Sequence, residues 1–137
     1  MNESSVYRTL KKCLDGKVHL TRIESSAGNG VPDVSVALPG RHIWIELKYV
    51  PSWPKRSTTT VKLELRPEQK LWIATRGGIS GNVWIFIRIQ DNFYLLTWKQ
   101  AIEACEGWTM HEWGEKSANG WYRVIEKNIL LDLLLGG

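Results

Sequence analysis

Residues 34–48, "VSVALPGRHIWIELK", restrict what this chain can fold into more than any other stretch. Two runs with apolar residues at every second position meet at Pro39-Gly40, the pattern of half-buried strands joined by a tight turn. With Pro39 and Gly40 as the two loop residues, Val34 faces Ile45 and Val36 faces Ile43, giving one continuous apolar face. A slip of one residue would set Val34 against Glu46 and Val36 against Trp44, scrambling both faces. A Pro-Gly loop does not favour the twist of a two-residue hairpin, so a local bulge stays open as an alternative. On the opposite face Asp33 then stands against Glu46, with Lys48 two residues further along the same side. Strand interiors disfavour all three residue types.

Directly opposed side chains have Cβ atoms about 5 Å apart, so two carboxylates there repel. Lys48 offsets only part of that repulsion. A bound divalent cation relieves the rest, since hard carboxylate oxygens are its natural ligands. Two carboxylates with open coordination positions suit Mg²⁺, which keeps waters and completes its shell from substrate phosphate. The alternative is a solvated ion-pair cluster on an exposed sheet.

The rest of the chain is organised around this hairpin. Its 137 residues suit a single domain spanning 1–137. Val6, Leu10, Cys13 and Leu14 fall on one helical stripe that Gly16 ends, and "KVHLTRI" reads as a strand. "VPSWPKRSTTT" reads as a mobile loop, and "RPEQKLWIATRGG" as a helix with Pro67 in its first turn and glycines at its end. "NVWIFIRI" and "FYLLT" are strands, and "WKQAIEAC" a short helix. The last thirty or so residues suggest strand pieces and a terminal helix through "KNILLDLLL". The order α-β-β-β-α-β predicts an α/β domain with a central mixed β-sheet flanked by helices. Its core covers about residues 1–97, and 98–137 form a C-terminal extension.

Net charge is +4, unevenly spread. Residues 41–76 carry Arg41, Lys48, Lys55, Arg56, Lys62, Arg66, Lys70 and Arg76 against only Glu46, Glu64 and Glu68. Such a basic centre reads as a face for a polyanion or as ordinary solvated surface. Cys13 and Cys105 form no CxxC, which argues against zinc and a disulfide framework and suits a reducing, intracellular setting. "MNESSVYRTL" lacks the apolar run of a signal peptide, and "ILLDLLL" is too short to span a bilayer, so no membrane partner is expected. His19, His42 and His111 have no metal-ligand spacing and read as structural or surface groups. Among the tryptophans, Trp44, Trp72 and Trp84 read as packing. Trp53, between two prolines beside Lys55 and Arg56, either engages a base or junction centre or folds back on the core.

Pro32-Asp33, a short hairpin and then Glu46-Leu47-Lys48 resemble the PD-(D/E)xK nuclease signature. The preceding "SAGNGVPD", with Ser26, Gly28 and Gly30, is similar to archaeal-type Holliday junction resolvases and the related VRR-type nucleases. "LRPEQKLWI" resembles the latter, whose helix glutamine corresponds to Gln69. The likeness covers roughly residues 1–90. It implies a restriction-endonuclease-like fold and a metal-dependent endonuclease, with Mg²⁺ as cofactor and Mn²⁺ able to substitute. By this resemblance Asp33 and Glu46 are metal ligands, joined by the Leu47 backbone carbonyl, and Lys48 orients or activates the attacking water. Glu3 matches the acid these families place on the first helix, as a further ligand; its alternatives are a favourable first-turn acid, or replacement by Glu24. Gln69 belongs either to the catalytic group or to the polar surface, and Ile73 stands where some relatives have Tyr. Ser26, Trp53, Lys55, Arg56, Lys62, Arg66 and Lys70 are the expected nucleic-acid contacts.

The implied activity is structure-selective cleavage of branched DNA, a four-way junction foremost, by a homodimer in the cytoplasm of a bacterial or archaeal cell or of a phage-infected host. "NILLDLLL" and the segment from Trp108 to Trp121 offer apolar material for the dimer interface, or else cover the monomer's own sheet. Cleavage of flaps, single strands or RNA is the second reading. A non-catalytic basic nucleic-acid-binding module is the third.

Overall fold

The computed structural model describes residues 2–23 and 30–136. Six strands form one sheet in sequential order: β1 (His19–Arg22), β2 (Val34–Leu38), β3 (Arg41–Val50), β4 (Val83–Ile89), β5 (Asn92–Thr97) and β6 (Asn119–Tyr122). Neighbours are antiparallel except β3 and β4, which run parallel. A parallel pair needs a crossover, and α2 (Pro67–Ser80) supplies it. The other helices are α1 (Glu3–Leu14), α3 (Trp98–Ala104), α4 (Met110–Lys116) and α5 (Lys127–Leu134). The α/β mixed sheet expected from the sequence is present.

The β2–β3 register is the one the apolar alternation demands. Val34 pairs with Ile45 and Val36 with Ile43, and the ladder runs unbroken to Leu38–Arg41, so no bulge is needed. Gly40 makes this possible by taking φ +68°, the left-handed value that a type II turn requires after proline. All four paired apolar side chains are fully buried.

Each face of the sheet carries its own core. On one, α1 and α5 cover Val34, Val36, Ile43, Ile45, Leu47 and Phe86 with Val6, Leu10, Leu14, Leu130 and Leu134. On the other, α2, α3 and α4 cover Val83, Ile85, Ile87, Ile89 and Leu96 with Ile73, Ala101, Ala104 and Trp113. Because side chains alternate along a strand, Glu46 and Lys48 point to the second face while Ile45 and Leu47 fill the first.

Two expectations change. The glycines of α2 do not end it: the helix continues to Ser80 and stops at Gly81, whose φ is +65° and whose N–H donates to the Gly77 carbonyl. Gly77 has a packing reason instead, since a Cβ there would run into the Trp98 indole. The tail is also more regular than its sequence suggests, with α4 and α5 flanking β6, the last strand of the sheet. Trp108, Trp113, Trp121, Leu130 and Leu134 are all buried within the monomer, because the two sheet faces need them as cover. Among the described residues, no helix is long and apolar enough to cross a membrane.

Candidate active site

Three elements converge at the end of the β2–β3 hairpin. Asp33 immediately precedes β2, and its carboxylate accepts the backbone N–H of Leu47 at 3.0 Å. That bond ties the acid to β3 and holds it beside Glu46. Glu46 is only 2% exposed. Its Oε2 accepts from the Gln69 amide at 3.0 Å and lies 3.7 Å from the Lys48 ammonium. Gln69, buried in the first turn of α2, is held at both ends: its Oε1 accepts the backbone N–H of Arg66 at 2.9 Å. The glutamine therefore caps its own helix and fixes the Glu46 carboxylate with the same amide group.

The electrostatics of Glu46 are unusual. Burial, the Asp33 carboxylate and, more weakly, Glu3 push its pKa up to about 8, although Lys48 pulls it down. Its second oxygen, Oε1, is buried and accepts no hydrogen bond among the described residues, and the Asp33 carboxylate stands within hydrogen-bond reach of the Glu46 side chain. Two acids set side by side in this way either share a proton or hold a cation between them. The donor set, the Asp33 and Glu46 carboxylates, is hard oxygen throughout and fits a divalent cation of the Mg²⁺ type.

Glu3 reaches the same neighbourhood from the other side of the sheet. It heads α1, lines the cleft that contains Lys48, and has its pKa raised by burial, with Lys48 opposing and Asp33 adding. However, among the described residues no three His, Cys, Asp or Glu side chains stand close enough together to hold a metal. The acid on α1 is thus near the two carboxylates without forming a three-acid cluster, because α1 packs on the opposite sheet face. Ser26 and the rival acid Glu24 lie outside the described residues.

The expected nucleic-acid contacts fall into distinct places. Lys55, Arg56 and Lys62 are exposed on the segment between β3 and α2, and Lys62 faces the cleft. Arg66 is the N-cap residue of α2 and pairs with Glu68 at 3.5 Å, while Lys70 is half-buried in the helix's first turns. Trp53 is folded back: its indole N–H donates to Asn92 at 3.0 Å, its backbone N–H to Gln90 at 3.0 Å, and its ring meets Tyr94 edge-on. It anchors the segment to the sheet instead of standing free in it.

Sequence reasoning missed how this segment is fixed at its far end. Val61 forms an antiparallel bridge with Trp108, Leu63 donates its N–H to Ala104 at 3.0 Å, and the Trp113 indole donates to the Val61 carbonyl at 3.2 Å. The signal was there, in the alternation of buried Val61 and Leu63 with exposed Lys62 and Glu64. Residues 51–66 thus form a strap, pinned at both ends, over the side of the site where Lys48 emerges.

No family model matches the sequence, and no curated protein matches it either. The fold, by contrast, is similar to the solved structure of Hjc from Archaeoglobus fulgidus, a Holliday junction resolvase from an archaeal hyperthermophile. That likeness has a TM-score of 0.52 at 13% sequence identity, over 80% of this chain and 93% of that one. The six-stranded mixed sheet and its flanking helices therefore give this chain the restriction-endonuclease-like fold of an archaeal Holliday junction resolvase.

Proposed function

We propose that the chain is a metal-dependent endodeoxyribonuclease selective for branched DNA, acting as a Holliday junction resolvase. The observation that carries this reading is the buried Glu46 carboxyl group, held side by side with Asp33 and flanked by Lys48 and Gln69. A structural ion pair would not set two acids against each other with one lysine to offset them, since burial and that pairing raise the Glu46 pKa. The similarity in fold to an archaeal resolvase supports the choice of substrate.

Asp33, Glu46 and the Leu47 carbonyl would hold Mg²⁺, or Mn²⁺ in its place. When bound, such an ion acidifies a coordinated water and polarises a phosphate oxygen. Asp33 is preset for this by its bond to the Leu47 N–H, which aims one oxygen at β3. Gln69 prevents Glu46 from rotating away. Lys48, 19% exposed, orients the attacking water and offsets charge building on the phosphate. Glu3, whose pKa is raised by burial, stands near enough to Lys48 to tune its field. Lys55, Arg56, Lys62, Arg66 and Lys70 draw the polyanion across this face.

Resolution needs two matched cuts, which a C₂ homodimer supplies when its axis coincides with that of the junction. One observation favours a second reading. The apolar tail that offered an interface is spent on the monomer's own cores, which suits a monomeric nuclease for flaps or single strands. A labelled four-way junction, incubated with and without Mg²⁺ beside duplex, flap, single-strand and RNA controls, separates the two. Paired symmetric nicks confined to the junction support the resolvase. Preferential cutting of flaps or single strands replaces it with the second reading, and no metal-dependent cutting of any substrate removes both.

A further inference from the structure

Beside the proposed catalytic group lies a cleft of about 500 Å³ that the chemistry of hydrolysis does not require. It opens between the end of β3 and the strap, beginning at Lys48 and running past Tyr49, Pro51, Pro54, Lys62 and Leu63. Its outer wall is fixed, since the strap is pinned through Trp53 at one end and through Val61 and Leu63 at the other.

The size selects the occupant. The volume falls in the range of small-molecule sites, about 300–1,000 Å³. A duplex whose major groove alone is about 12 Å wide cannot enter. The charge selects it further: Glu3 and Glu64 also face the cleft and balance the two lysines. A neutral lining with tyrosine, proline and leucine surfaces suits an uncharged, flat heteroaromatic ring better than a phosphate. Lys48 and Lys62 are then left for the phosphates on either side of it.

We infer that the cleft receives one unstacked nucleobase of the strand being cut, next to the scissile phosphate. This rests on the nuclease reading above and adds to it a physical source of structure selectivity. Extruding a base from intact duplex costs a few kcal/mol, and the cost is least where pairing and stacking are already broken. A branch point supplies such a base, and continuous duplex does not. The strap thus converts the local disorder of a junction into productive placement of the backbone against Asp33 and Glu46.

The test uses the full chain, in EDTA, with junction and duplex DNA carrying 2-aminopurine singly at each position within three nucleotides of the branch. Emission should rise several-fold at one position on the junction and at none on duplex. Ser52→Phe, which places an aromatic ring in the cleft from an exposed strap position, should abolish that rise and slow Mg²⁺-supported junction cleavage by about tenfold or more, the scale of one lost stacked base. Lys62→Ala should weaken junction binding while keeping the emission change at saturating protein. A bound junction with no emission change at any position overturns the inference and leaves the nuclease reading standing. So does a rise that survives Ser52→Phe. A rise on a junction that no divalent cation causes to be cut supports the cleft and sinks the nuclease reading instead.

Discussion

Glu46 is a carboxylate in a place that disfavours one, and its neighbours show why the strand tolerates it. Buried beside Asp33, it has a pKa near 8 in the metal-free protein, against about 4.5 when unburied. Between those values the folded state holds a proton that the unfolded chain releases, so the protonated acid stabilises the fold fully below pH 4.5. That contribution fades as pH rises and is gone above about pH 8. Thermal melts in EDTA should therefore show the wild-type Tm falling between pH 5 and 8, with Glu46→Gln flattening the fall and melting higher at pH 8. A parallel pH dependence in both proteins would place the titrating group elsewhere. Divalent cation should restore the wild-type Tm at pH 8, since it binds the deprotonated form. Lys48→Ala should cut the rate of cleavage about 10²- to 10³-fold with folding intact, the scale of losing one preorganised charge, as measured by single-turnover kinetics. Gln69→Ala frees both the α2 cap and the Glu46 oxygen, so it should lower Tm as well as rate.

At the scale of elements, the strap between β3 and α2 divides into anchor and contact. Trp53→Ala removes a half-buried indole, its bond to Asn92 and its edge contact with Tyr94, and should cost about 2 kcal/mol in a denaturation experiment. Lys55→Ala with Arg56→Ala should leave stability unchanged and weaken DNA binding on every substrate, lowering the salt slope by about two. Stability loss in the second variant, or its absence in the first, would reverse the assignment. The hairpin was readable from sequence because period-two alternation admits one register, and that register alone aligned Asp33 with Glu46. Gln69 was readable only through a family resemblance, for nothing local tells a glutamine at a helix start that it will meet Glu46. The end of α2 was misread because Gly77 and Gly78 signal a stop locally, whereas tertiary packing against Trp98 decides otherwise. The strap's second anchor escaped for the same reason, since Val61 and Leu63 pair with the distant Trp108 and Ala104.

For the whole molecule, the sheet is covered on both faces, and the segment 98–137 completes that cover instead of standing apart as spare interface. The larger apolar side chains still exposed include Leu71 and Ile79 on α2 and Val124 after β6, at 69, 82 and 75%. A homodimer remains the assembly that two matched cuts require, and light scattering should return about twice the 15.7 kDa chain mass at micromolar concentration. A strict monomer on and off DNA would transfer the account to flaps or single strands. Beneath either assembly lies one claim, that the carboxylates at the end of the β2–β3 hairpin form a hydrolytic centre. The direct measurement is four-way junction cleavage at saturating Mg²⁺ by wild type and Asp33→Asn, each shown by melting and gel shift to fold and bind. The amide keeps the size of the side chain and can still meet the Leu47 N–H, but it lacks the charge a cation needs. Metal-dependent nicks are expected from the wild type and none from Asp33→Asn. Equal cleavage by both, or none by either under any divalent cation, would contradict that claim.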